Sequence, residues 1–269
     1  MCCPHQTSAV MSLASLPTEL IEAITSHLDL SASRSLRLVS STLKQQSLHV
    51  FRDLYFRTRT LQWTKQDLKN LLDISKHTTF GNALRQLVVD ATPKHSTSMW
   101  QLRKRISEAD AIFSEPHGVF FKSELQERYI AEEKDATESA TFFNESRYDQ
   151  KCLRAAFDTI DQLESVTFMY TGMEKTYGKF GRRYCESSQH EMSRPFVSTM
   201  MAVAASGIRV KKICTHKQFN YGAVSVGRVE SLAPFLRNFD GVFEKLEQLE
   251  LNLRDWRCPD SECKCTEHT

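Results

Sequence analysis

Apolar positions in the first sixty residues recur at helical spacing. Leu20, Ile24 and Leu28 fall four apart with Ile21 beside them, which lays one apolar face along a helix. Pro17 suits the first position of that helix, where its missing N–H costs nothing, and Glu19 sits near the positive end of the macrodipole. Asp29-Leu30-Ser31 interrupts the pattern, and Ser31 or Ser33 is placed to cap a second helix that presents Leu36, Val39 and Leu43. A third apolar set follows at Leu48, Phe51 and Leu54. The pattern predicts three short helices over residues 12–56.

After residue 56 the period changes. Tyr55 to Leu61 is aromatic and β-branched and reads as a short strand. A helix is expected from Thr64, carrying Leu68, Leu71, Leu72 and Ile74 and ending near Gly81. Leu84 to Asp90 then reads as a buried strand, stopped by Pro93. The same order returns three times. Leu153, Phe157, Ile160 and Leu163 lead into Leu163–Phe168, and the small-residue helix 196–205 leads past Gly207 into Val210–Cys214. Leu232, Phe235, Leu236, Phe239 and Phe243 lead into Leu246–Leu253.

Each strand opens with two apolar residues three apart: Leu84 and Leu87, Leu163 and Val166, Val210 and Ile213, Leu246 and Leu249. Such repetition predicts parallel strands joined by right-handed helical crossovers. The expected fold class is α/β: a three-helix N-terminal module followed, over residues 57–257, by an irregular helix–strand solenoid similar to leucine-rich repeats. An ordinary α/β domain is the alternative reading. Two stretches interrupt the order. Residues 97–150 are charged, rich in helix formers and carry scattered apolar residues, so a helical insertion is expected there. Residues 171–194 lack periodicity and read as a long loop.

Composition narrows the class. The 269 residues carry a net charge of +2, which suggests neither a nucleic-acid tail nor a disordered chain. No run of eighteen apolar residues marks a membrane span, and Met1 to His5 lacks the pattern of a secretory signal. Eight cysteines without regular spacing, Cys2 and Cys3 among them, then read as reduced thiols, and a cytoplasmic or nuclear location is expected.

Little in the chain suggests chemistry. No nucleophile elbow, phosphate-binding glycine loop or His-Glu-x2-His is present, and no cofactor is expected. The loop segment around Lys179, Arg182 and Arg183 interleaves cations with Tyr177, Phe180 and Tyr184. It reads as a solvated loop, or as a contact for an acidic protein partner rather than for nucleic acid. In the tail, 258–269, Cys258, Cys263, Cys265 and His268 place four potential zinc ligands within eleven residues. Their spacing is not that of a zinc knuckle, so the tail reads as flexible and metal-free.

The first sixty residues also carry a resemblance. Leu16-Pro17-x-Glu19-Leu20-x3-Ile24-x3-Leu28, followed by Leu36-Arg37-Leu38-Val39-Ser40-x2-Leu43, resembles an F-box, and Phe51-Arg52-x-Leu54-Tyr55-Phe56 is similar to the sequel in many fungal F-box proteins. Leu43 stands where many members carry a tryptophan, and Ser41 where a basic residue is frequent. The resemblance is close over residues 12–56 and only architectural beyond them. It implies a substrate-receptor subunit of an SCF-type ubiquitin ligase with no catalytic residue of its own. Leu16, Pro17, Leu20, Ile24, Leu28, Leu36, Val39 and Leu43 would dock a Skp-type adaptor, which connects to cullin and RING subunits. The α/β array would recruit a target protein, and no membrane is implied. A non-catalytic scaffold whose F-box is structural or works outside a ligase is the rival reading; an enzyme of unrecognised type is the second. Because solenoids need caps and none is evident after Leu253, a shortened gene product is also an expectation.

Overall fold

The computed structural model describes residues 12–112, 116–170, 186–215, 224–225, 229, 232, 234 and 241–254. The chain divides into two compact units, Met1–Arg59 and Thr60–Thr269.

The first unit is helical, with four α-helices after a 3-10 turn at Leu13–Ser15: α1 (Thr18–Ser26), α2 (Leu30–Val39), α3 (Ser41–Gln46) and α4 (Leu48–Phe56). Pro17 lies one place before α1, where its carbonyl accepts from the Leu20 and Ile21 N–H groups. The second helix is capped by Asp29, which accepts from Ala32 N at 2.7 Å, and not by Ser31 or Ser33. It also ends sooner than its apolar pattern suggested. Ser40 is extended (φ −154°, ψ 155°), and its Oγ accepts from Leu43 N to start α3, so three predicted helices become four. A serine that caps the next helix with its side chain competes with continuing the first.

Ile21, Leu43 and Phe51 form the apolar core of this unit. Polar groups complete it. The Tyr55 hydroxyl donates to the Leu28 carbonyl at 2.8 Å, and the Ser47 hydroxyl to the Leu43 carbonyl at 2.6 Å. The Arg37 guanidinium lies 4.3 Å from the Phe51 ring centre and donates to the Lys44 carbonyl. Its burial lowers its pKa from the usual arginine value.

The second unit is mixed α/β and mostly helical, around a five-stranded sheet in the order β1-β2-β3-β4-β6. The strands are β1 (Thr58–Gln62), β2 (Gln86–Asp90), β3 (Ser165–Met169), β4 (Lys212–Thr215) and β6 (Gln248–Glu250). From β2 to β6 the pairs are parallel, each strand beside the next of the sheet in the chain. Val224–Ser225 (β5) and Leu253–Arg254 (β7) form a separate parallel pair. Between β1 and β3 lie α5 (Lys65–Ser75), α6 (Thr78–Gly81), α7 (Lys94–Ile112), α8 (Pro116–Ser146) and α9 (Tyr148–Phe157); α10 (Glu186–Ser206) precedes β4.

The strand starts repeat in detail. The Arg85 carbonyl accepts from both Glu164 N and Ser165 N, the Glu164 carbonyl from Lys211 N and Lys212 N, and the Lys211 carbonyl from Glu247 N and Gln248 N. This register aligns Leu87, Val166, Ile213 and Leu249 in one row. The first three are buried against α5, α9 and α10, which pack in that sequence, with Leu68, Leu71, Leu153, Phe157, Phe196 and Val203 facing them in the core. Leu249 is 54% exposed, so the apolar row outruns its cover.

Several boundaries differ from the sequence pattern. The helix expected to reach Gly81 stops at Ser75, and α6 follows as a separate turn. A Cβ on Gly81 would lie 2.3 Å from the Ser75 carbonyl oxygen, so only glycine permits this return. The predicted loop 171–194 is helical from Glu186. Phe235, Leu236 and Phe239 lie outside the described residues, and Phe243 belongs to a 3-10 turn.

Candidate functional site: an exposed apolar surface on the helical unit

A four-helix unit of this size has few ways to bury its leucines. Helix α1 turns Ile21 and Thr25 inward, and the Thr25 hydroxyl satisfies itself on the Ile21 carbonyl at 2.7 Å. That choice leaves Leu20 and Ile24, one turn apart, facing solvent at 51% and 38% exposure. At the end of α2, Leu38 and Val39 are 86% and 74% exposed. Leu13 and Leu54 are exposed as well. Six large apolar side chains are thus left exposed on this small unit, where a protein partner could cover them.

The eight residues singled out from the sequence therefore divide. Pro17, Leu20, Ile24 and Val39 are exposed; Leu16, Leu28 and Leu36 are half-buried; Leu43 is buried. Leu43 stands in the unit's interior, held there because Ser40 caps α3 and turns its first residues. Leu16 and Leu28 also serve the fold through their carbonyls, which accept from Gln46 Nε2 at 3.1 Å and from Tyr55. Sequence spacing missed Leu38, the most exposed of the apolar residues. It sits two residues before the Ser40 break, and the position of that break was the missing signal.

The surface's neighbouring ionisable groups form a wet network in which His49 lies 3.6 Å from both Glu22 and Asp53. The titratable groups with shifted pKa values in the second unit are structural in setting. Burial pushes the Tyr170 hydroxyl and the Cys152 thiol up, and a hydrogen bond to Cys152 raises Tyr148 first, with burial adding to it. Asp149, fully buried, is held by the Arg194 guanidinium (Nε at 2.8 Å) and by the Ser198 hydroxyl at 2.8 Å.

Among the described residues no group of three or more His, Cys, Asp or Glu side chains could hold a metal ion. Cys258, Cys263, Cys265 and His268 lie outside the described residues, as do Lys179, Arg182 and Arg183. Among the described residues no helix is long and apolar enough to cross a membrane. No family model, no curated protein and no solved structure matches the chain.

Proposed function

We propose that residues 12–56 are an F-box and that the chain is a substrate receptor of an SCF-type ubiquitin ligase. The observation that carries this reading is the exposure of Leu20, Ile24 and Val39 on a helical unit that has its own core in Ile21, Leu43 and Phe51. These three exposed residues fall within the motif that resembles an F-box. A Skp-type adaptor would cover them, and each such side chain buried contributes roughly 1.5–3 kcal/mol. Pro17 would contribute at the rim; Leu16, Leu28 and Leu36 would contribute their exposed edges. Leu43 belongs to the support beneath.

The second unit would then act as the target-recruiting array of a degenerate leucine-rich-repeat-like solenoid. Strands that neighbour one another in chain order, and the same paired-acceptor geometry at three successive strand starts, support that reading. Catalysis would belong to the ligase partners, and the target protein would set specificity.

The test is co-purification of the full chain with a Skp-type adaptor, native against Leu20→Asp plus Ile24→Asp. Both aspartates enter exposed positions, so the variant keeps its fold by circular dichroism. Recovery of adaptor with the native chain and its loss in the variant is the expected result. A folded native chain that recovers no adaptor would discard the receptor reading. Adaptor binding without ubiquitination of any bound protein in a reconstituted ligase would favour the scaffold reading.

A further inference from the structure

Helices α7 and α8 interrupt the alternation of helices and strands, and they are attached to the second unit in an uneven way. Leu102 and Ala109 of α7 and Leu125 of α8 are buried, yet none belongs to the core that joins the sheet to α5, α9 and α10. Among the described elements α7 packs along α8 and makes no comparable packing elsewhere. The end of α8 is different, because Phe143 enters the main core with Phe142 packed beside it.

One turn of α10 holds both ends of this insertion. Arg194 donates to the Phe143 carbonyl at 2.6 Å and to Asn144, while pairing with buried Asp149. Three residues earlier, Glu191 accepts from His95 N and Ser96 N, each at 3.2 Å, and from the Ser96 hydroxyl at 2.5 Å. It thereby satisfies N–H groups in the first turn of α7 from outside that helix. The two attachments differ in kind. Arg194 is backed by aromatic packing and full burial of its partner. The Glu191 carboxylate holds the start of α7 through hydrogen bonds, which exchange with water at small net cost.

We propose that the described residues of α7 and of the part of α8 packed along it open together as an arm, with Glu191 as its latch and the Arg194–Asp149 clamp as its fixed root. The flanking His95–Glu132 contact, at 2.8 Å, joins α7 to α8 and so travels with the arm. The Lys94–Gln62 bond, 2.9 Å and exposed, is released with the latch. The arm can thus lift without disturbing β2, β3 or β4.

Native-state hydrogen exchange on the full chain tests this. The amides of residues 98–109 and 124–135 should exchange together, through an opening at least about tenfold more frequent than that of β2 and β3. Glu191→Ala should speed exchange of those amides by roughly 5- to 30-fold and leave the strands unchanged. Ser96→Ala, which keeps the Glu191 carboxylate, should move the same amides in the same direction by less. Arm amides that exchange only with the strands would overturn the proposal. So would a Glu191→Ala chain that loosens everywhere, or two variants that leave the arm unchanged.

Discussion

The two units spend their leucines in opposite ways. In the sheet unit the register row Leu87, Val166 and Ile213 is almost wholly covered, and Phe168 and Val203 are inaccessible to solvent. Among the described residues of the helical unit only Ile21, Leu43 and Phe51 are buried large apolar residues, while six others are exposed. The difference follows from geometry. A parallel sheet covered by helices presents a continuous apolar layer, so the strand residues beneath the helices find partners and only Leu249, at the end of the row, does not among the described residues. Four helices of six to ten residues supply too little surface to enclose both sides of α1 and the end of α2. The helical unit must therefore leave an apolar surface, and polar ties such as Tyr55 to Leu28 and Arg37 to Lys44 do much of its fastening.

Core truncation breaks this comparison most strongly. Phe168→Ala should destabilise the sheet unit by about 3–5 kcal/mol, read as a lower denaturant midpoint, because a fully buried ring leaves a cavity. Leu38→Ala, despite its place in the apolar motif, should change stability by less than about 0.5 kcal/mol. Equal losses in the two variants would contradict the contrast. A middle-sized effect probes the polar ties. Tyr55→Phe removes the donor to the Leu28 carbonyl and should cost about 0.5–1.5 kcal/mol, lost from the helical unit first.

The smallest effect concerns pH. Burial raises the Cys152 thiol, so the folded chain holds that proton more tightly than the unfolded chain. Its contribution is complete below the unfolded thiol pKa and is lost as pH rises through the folded one. Thiol labelling at Cys152 should accordingly lag behind an unfolded control in mildly alkaline buffer. Cys152→Ala should flatten the alkaline decline of stability, and labelling as fast as in the unfolded chain would exclude a buried thiol.

Much of the architecture was legible from spacing. The pairs Leu84/Leu87, Leu163/Val166, Val210/Ile213 and Leu246/Leu249 marked where strands begin: the first residue of each pair lies two residues before the strand, and the second falls within it. The helical insertion was legible from its composition. The limits of the second helix were not. Leu36, Val39 and Leu43 fit one continuous apolar face, and nothing local revealed that Ser40 would cap a new helix. Leu20 and Ile24 likewise share a period with Ile21, and spacing alone did not say which would face inward.

By itself the sequence determined neither the break at Ser40 nor the helix that starts at Glu186. It did determine the kinds of element and their broad order: short helices, then helices alternating with strands. Those are local outcomes of periodicity, capping and chain stops. Only the tertiary structure decided which apolar residues remain outside. Burial depends on what lies across the interface, so Leu43 went to the core and Leu38 to the surface although both carry the same side chain. It also decided that Glu191 and Arg194, three residues apart, would hold two ends of an insertion roughly fifty residues long. Such pairings join positions far apart in the chain, and no local pattern encodes them.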